Sequence, residues 1–349
     1  MSIKISDFKI GKNYPPFIVA EISGNHNQKL SRALDLVDAA ADCGVHALKL
    51  QTYTPDTITL NVRNKDFMIE GKDSLWSGEN LYDLYEKAHT PWEWHKPIIE
   101  HAIKKGLICF SSPFDETAVD FLEELNMPAY KIASFENNHL PLIKKTAATG
   151  KPLIISTGMA SVEELSRAVR TAKESGCKEL ILLKCTSTYP SSPNNTNLNT
   201  IPHIRDLFNC EVGLSDHTLG IGAAIGAVAL GATIIEKHFT LSRNDGGVDS
   251  QFSLEPKEMK MLVEESKRVW QAIGKIFYGP SETEMQSLSF RRSIFITKDI
   301  KKGEALNPNN IGIYRPNLGL SPDYFDIVIG RKTRRSLTAG TPLSFEDIN

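Results

Sequence analysis

Short apolar, β-branched runs alternate with longer amphipathic stretches along most of this chain, and no other feature limits its fold as strongly. Eight runs read as strands: Phe17–Ile22, Ala47–Gln51, Ile108–Ser111, Ala129–Ala133, Leu153–Ser156, Leu180–Lys184, Glu211–Leu214 and Thr233–Glu236. Several are apolar nearly throughout, as parallel strands covered on both faces must be. Helical patterns lie between them. In Ser31–Cys43 the residues Leu34, Val37, Asp38 and Ala41 follow a helical period until Gly44 stops it. Ser161 with Glu164 forms a capping box at the start of Ser161–Ser175, and Gly176 ends that segment. Glu116–Leu125 and Ile221–Gly231 fill similar slots. Eight strands alternating with helices over about 250 residues predict the α/β class and a TIM (β/α)8 barrel. The rival is an open doubly wound sheet, but no G-x-G-x-x-G follows any of these runs.

Two stretches stand outside the repeat. Asn61–His89, which carries Trp76, Tyr82 and Tyr85, reads as an enlarged loop with a short helix after the second strand. Pro256–Ile273 reads as a long helix that closes the barrel. The expected organisation is a barrel domain over 1–278, a polar linker over 279–290 and a small domain of strands and coil over 291–349. Within the last, DIKKGEAL and SLTAGTPL echo one another as an apolar strand followed by a glycine turn.

Composition narrows the classes of function. With 41% hydrophobic residues in 349, the chain can bury a large core without disulfides. A formal net charge of −2, with no long basic run, gives no footprint for nucleic acid. The five cysteines are far apart and form no C-x-x-C pair, which suits a reducing compartment. No apolar run is long enough to cross a bilayer and the first residues have no signal-peptide core, so the expectation is a soluble cytoplasmic protein.

A barrel of this kind carries its chemistry at the C-terminal ends of its strands. Those ends here hold Glu21, Ser23, Asn25 and His26; Lys49 and Gln51; Ser111 and Ser112; Lys131, Ser134 and Glu136; Ser156 and Thr157. Further along stand Lys184, Ser187 and Tyr189, then Ser215, Asp216 and His217, then Glu236, Lys237 and His238. Any one of these has a bland reading: a solvated lysine, a structural histidine, a serine in a turn. Together they are harder to dismiss. Lysines among hydroxyls form a cradle for a phosphate and a carboxylate, and two histidines from adjacent strands suit a divalent metal with open positions.

The strings AEISGNH (20–26), KLQTY (49–53), FSSPF (110–114), YKIAS (130–134), STGM (156–159), CTSTYP (185–190), GLSDHT (213–218) and IEKHF (235–239) resemble the sialic acid synthase family. The C-terminal part, with KDIKKGE (298–304) and RP (315–316), is similar to that family's antifreeze-like, or SAF, domain. The resemblance implies a metal-dependent condensation of phosphoenolpyruvate (PEP) with an amino sugar in its open aldehyde form, releasing phosphate and a nine-carbon 2-keto acid sugar. It places PEP ligands at Lys49, Ser112, Lys131, Ser134, Ser156, Ser187 and Ser215, and sugar contacts at Gln51, Tyr189, Glu236 and Asp249. His217 and His238 match the metal ligands, for Mn2+, Mg2+ or Co2+, and Glu21 matches the residue for proton transfer or cation stabilisation. Arg315 matches an arginine that the SAF domain inserts into a partner's active site, which implies a domain-swapped homodimer. Within the family, SGNH in place of GINH, KLQTYTPDT (49–57), LICFSSPF (107–114) and LKCTSTYP (183–190) are most similar to the branch that makes pseudaminic acid from 2,4-diacetamido-2,4,6-trideoxy-L-altrose. The alternatives are the N-acetylneuraminic or legionaminic acid branches, a metal-dependent aldolase that does not use PEP and, more remotely, a non-catalytic carbohydrate-binding protein.

Overall fold

The computed structural model describes residues 2–71 and 74–349; the enlarged loop therefore includes two positions, Lys72 and Asp73, outside the described residues. The chain begins with a hairpin, β1 (Ile3–Ile5) and β2 (Phe8–Ile10). Eight parallel strands follow: β3 (Phe17–Glu21), β4 (Ala47–Thr52), β5 (Ile108–Pro113), β6 (Tyr130–Ile132), β7 (Leu153–Ser156), β8 (Leu180–Cys185), β9 (Glu211–Asp216) and β10 (Ile234–His238). They close into a barrel as β10 pairs with β3. All eight expected runs are therefore barrel strands, and the predicted fold is the observed one.

Alternation within each strand sorts its residues between two environments. Along β3, Phe17 and Val19 join a cluster inside the barrel, whereas Ile18 and Ala20 pack outward against the helices. The same parity runs through Ala47 and Leu48, Phe110 and Cys109, Ile154 and Ile155, and Ile234 and Ile235. Carried to the strand ends, the inward phase falls on Glu21, Lys49, Gln51, Ser112, Lys131, Ser156, Ser215, Glu236 and His238. The outward phase explains the other buried charged pair at these ends. Lys237 donates to Asp216 Oδ2 at 2.7 Å and to the Thr218 carbonyl, which makes it a structural pair.

Toward its N-terminal end the barrel interior is apolar, and Ile3, Ile5 and Ile10 of the hairpin pack into it there. The hairpin is thus a plug, so the barrel opens for chemistry only at the opposite end. Gly213 shows how tight the filling is. A Cβ there would stand 2.3 Å from the Ile234 carbonyl oxygen and 2.7 Å from Leu183 Cδ2.

Outer helices cover the barrel: α1 (Leu30–Asp42), α2 (Pro55–Ile58), α3 (Leu81–Ala88), α4 (Trp92–Lys104), α5 (Glu116–Glu124), α6 (Leu140–Ala148), α7 (Val162–Glu174), α8 (Thr200–Phe208), α9 (Gly222–Ala229) and α10 (Pro256–Ile273). The predicted capping box opens α7, with Ser161 and Glu164 each accepting from the other's backbone N–H. Among the described residues no helix is long and apolar enough to cross a membrane.

Packing divides the chain into two compact units, residues 1–274 and 275–349. The second pairs β11 (Ser293–Ile296) antiparallel with β12 (Ile311–Tyr314) over a small core that includes Ile294, Ile296, Leu306, Val328 and Leu343. Isolated bridges such as Ile300 with Leu337 and Ala305 with Lys332 hold the rest of it together.

Candidate active site

At the open end of the barrel a chain of buried charges crosses the floor. Lys131 Nζ lies 3.0 Å from Glu236 Oε1, and Lys49 Nζ lies 3.3 Å from the same oxygen. Ser215 Oγ donates to that oxygen at 2.9 Å. Lys49 is also paired with Glu21 Oε2, and Glu21 Oε1 accepts the Ser23 N–H at 3.0 Å. All four charged residues are at most 3% exposed. Burial pulls Lys49 down to about 7, against the pull of Glu236. Burial also pushes the Glu236 carboxyl upward, but Lys131 and Lys49 outweigh it and hold the group far below the usual carboxylate range.

Hydroxyls surround this floor. Ser112 Oγ and Ser156 Oγ are buried and have no hydrogen-bond partner among the described residues. An orphaned buried hydroxyl is costly unless a ligand completes it. Ser134 Oγ accepts the Gly158 N–H at 3.2 Å. A Cβ on Gly158 would stand 2.2 Å from Ser187 Oγ and 2.6 Å from Ser134 Oγ, so glycine keeps a narrow cradle open between the two serines. Two ammonium groups beside unfilled hydroxyl donors fit an anion with several oxygens.

The two histidines stand together, their ring centroids 5.3 Å apart. His217 Nδ1 donates to the Thr186 carbonyl at 3.1 Å, which leaves Nε2 as the nitrogen for a ligand; burial pulls the ring down, but Cys185 outweighs it and raises it above its ordinary value. His238 Nδ1 lies 3.3 Å from Ser23 Oγ and 3.6 Å from Asp249 Oδ2. Burial, with His217 and Lys49 nearby, keeps His238 well below its ordinary value and hence in the neutral form a metal requires. Among the described residues no three His, Cys, Asp or Glu side chains converge on a metal-sized point. Two imidazoles would hold a cation only with water and substrate oxygens in its remaining positions.

Next to these groups lies a cavity of about 530 Å³, lined by Gln51, Tyr189, Asp249, Glu136 and His238 and by side chains of the enlarged loop. Tyr189 packs against His217 at 4.6 Å and Phe252 at 5.4 Å between ring centroids. Asp249 accepts a hydrogen bond from Ser23 and is raised by burial. Burial raises Glu136 to about 7, against the pull of Lys131.

One unit thus holds all the expected site residues except one. Lys49, Lys131, Ser215 and Glu236 meet at the floor; Ser134 and Ser187 meet around Gly158; Gln51, Tyr189 and Asp249 line the cavity. Glu236, expected among the sugar contacts, sits in the lysine cluster and not among the cavity-lining groups. Arg315 lies in the second unit, exposed, immediately after β12. Sequence reasoning left Glu136, Ser23 and Cys185 without roles. Cys185 Sγ in fact stands 3.9 Å from His217 Nδ1, which outweighs burial and draws the thiol down to about 6. Its inward parity on β8 was the available signal.

The NeuB family matches residues 36–278 and the SAF domain matches residues 291–349. The chain is 46% identical to the pseudaminic acid synthase of Helicobacter pylori, covering 96% of this chain and 98% of that one. It is 42% identical to the pseudaminic acid synthase of Campylobacter jejuni, covering 99% of each. Among solved structures, the N-acetylneuraminic acid synthetase of Leptospira borgpetersenii, in complex with citrate, superposes with a TM-score of 0.74 at 33% identity, covering 82% of this chain and 95% of that one. The chain belongs to the NeuB family and ends in a SAF domain.

Proposed function

We propose that this enzyme is a pseudaminic acid synthase, which condenses PEP with 2,4-diacetamido-2,4,6-trideoxy-L-altrose and water to give pseudaminic acid and phosphate. The observation that carries this reading is the buried floor: two lysines share one carboxylate beside unfilled serine hydroxyls, under a cavity of sugar size. The choice of sugar is supported by identity with the two bacterial pseudaminic acid synthases.

Lys49 and Lys131 hold the anionic ends of PEP, with Ser112, Ser134, Ser156, Ser187 and Ser215 donating to its oxygens. Carbon 3 of PEP attacks the aldehyde carbon, forming the new C–C bond, and the aldehyde oxygen takes up a proton. The cation left at carbon 2 is stabilised by the Glu21 carboxylate, which also accepts a proton from the water that adds there. The tetrahedral adduct then loses phosphate by C–O cleavage to leave the 2-keto acid. Gln51, Tyr189 and Asp249 hold the sugar in line with this attack. A divalent cation held by His217 and His238 supplies Lewis acidity toward the aldehyde oxygen.

The second unit completes the site in trans. In this reading the chain works as a domain-swapped homodimer in which Arg315 of one copy reaches the sugar pocket of the other. Its buried, unpaired cysteines support a cytoplasmic setting. The test is product mass after incubation with PEP and the candidate sugars. Pseudaminic acid with equimolar phosphate supports the reading; an N-acetylneuraminic or legionaminic acid product would move the chain to a sibling activity.

A further inference from the structure

The enlarged loop has no part in the chemistry above, yet it builds one wall of the sugar cavity. From this loop Ile69, Trp76, Leu81 and Leu84 line that cavity, joined by Ile58 at the end of α2, and the same cavity is lined by the polar Gln51, Glu136 and Asp249. Among the described residues of the loop that line the cavity, Ser74 and Tyr85 apart, the side chains are alkyl groups and an indole. Trp76 fastens it. The indole Nε1 donates to the Val248 carbonyl at 3.0 Å, next to Asp249, and the ring packs 5.7 Å from that of Tyr189.

We propose that this wall is the specificity element for the sugar, taking the methyl end of a 6-deoxy substrate, with Trp76 as the positioning residue that sets it against Asp249 and Tyr189. The inference rests on the synthase reading. A hydroxymethyl group in the same place would bury its hydroxyl against Ile58, Ile69, Leu81 and Leu84, none of which can donate or accept. Apolar pockets reject an added hydroxyl only modestly, by up to about a hundredfold. The wall therefore sets a preference and not an absolute barrier.

The test uses full-length enzyme, saturating PEP and two sugars matched except at carbon 6: the 6-deoxy diacetamido altrose and its 6-hydroxy counterpart. The wild type should favour the 6-deoxy sugar in kcat/KM by roughly 10- to 100-fold. Leu81→Asn and Ile69→Asn each give the hydroxyl a partner, and should narrow the ratio to within about threefold through the KM for sugar. Trp76→Phe keeps a ring but loses the N–H, and should raise the KM of both sugars while leaving PEP saturation unchanged. Equal use of both sugars by the wild type, or wall variants that keep its ratio, would overturn this inference alone. Sugar-dependent phosphate release with neither substrate would overturn the synthase reading as well.

Discussion

Lys131 and Glu236 face one another across the barrel floor at 3.0 Å, both 3% exposed, and Lys49 shares the same carboxylate oxygen at 3.3 Å. Glu21 is paired with Lys49 as well, so two lysines and two carboxylates balance one another at the floor. A substrate anion must share these lysines with Glu21 and Glu236, so binding and folding are linked through these side chains.

Glu236→Gln should expose the dependence. Removing one partner of a buried charged cluster costs roughly 3 kcal/mol. The variant should lose stability of that order in denaturant titration, and saturating PEP should return part of it. A variant as stable as wild type, and unaffected by PEP, would mean that the cluster does not hold the anion.

Lys49 gives a proton-linked test. Its free-enzyme value of about 7 lies below the usual lysine range, and an arriving dianion must raise it again. At pH 8 the unliganded amine is mostly neutral and the complexed one charged, so PEP binding should take up a proton. Calorimetric titration in two buffers of different ionisation enthalpy measures that uptake, which should shrink as the pH falls below 7. Lys49→Met should abolish it.

The histidine pair predicts joint loss of metal and activity. His217→Ala or His238→Ala removes half of the protein's donors, and each should lower metal affinity and turnover by tenfold or more, on the order seen at other sites. Chelator-treated wild type should be inactive and recover with Mn2+, Mg2+ or Co2+. Full activity in excess chelator would remove the cation from the account.

Much of this site could be read in the sequence because strand parity places it. Once eight strands close, the residues that share the phase of Val19, Ala47 and Ile154 must point inward, and those phases end on Glu21, Lys49 and Ser156. Parity also marks Lys237 as outward, a distinction that the bare string EKH does not make. What the sequence hid depends on closure. The plug strands Ile3–Ile5 and Phe8–Ile10 are too short to signal anything until a barrel floor exists to receive them. Trp76 reaches the Val248 carbonyl across a sequence separation of 172, a contact that no local pattern encodes.

The swapped arrangement is open to complementation. Arg315→Ala and Glu21→Ala should each be inactive yet dimeric. In a swapped heterodimer one site carries both lesions and the other neither, so mixing with subunit exchange, shown by differently tagged chains, should restore part of the wild-type rate. Proven exchange with no recovery would place each SAF domain over its own barrel.

The most direct test of the central claim follows an oxygen atom. PEP labelled with 18O at the bridging position between carbon 2 and phosphorus is incubated with enzyme, metal and 2,4-diacetamido-2,4,6-trideoxy-L-altrose, and the released phosphate is weighed by mass spectrometry. Condensation with C–O cleavage predicts that the label leaves in the phosphate and that its release requires the sugar. Unlabelled phosphate, or release that ignores the sugar, would contradict it.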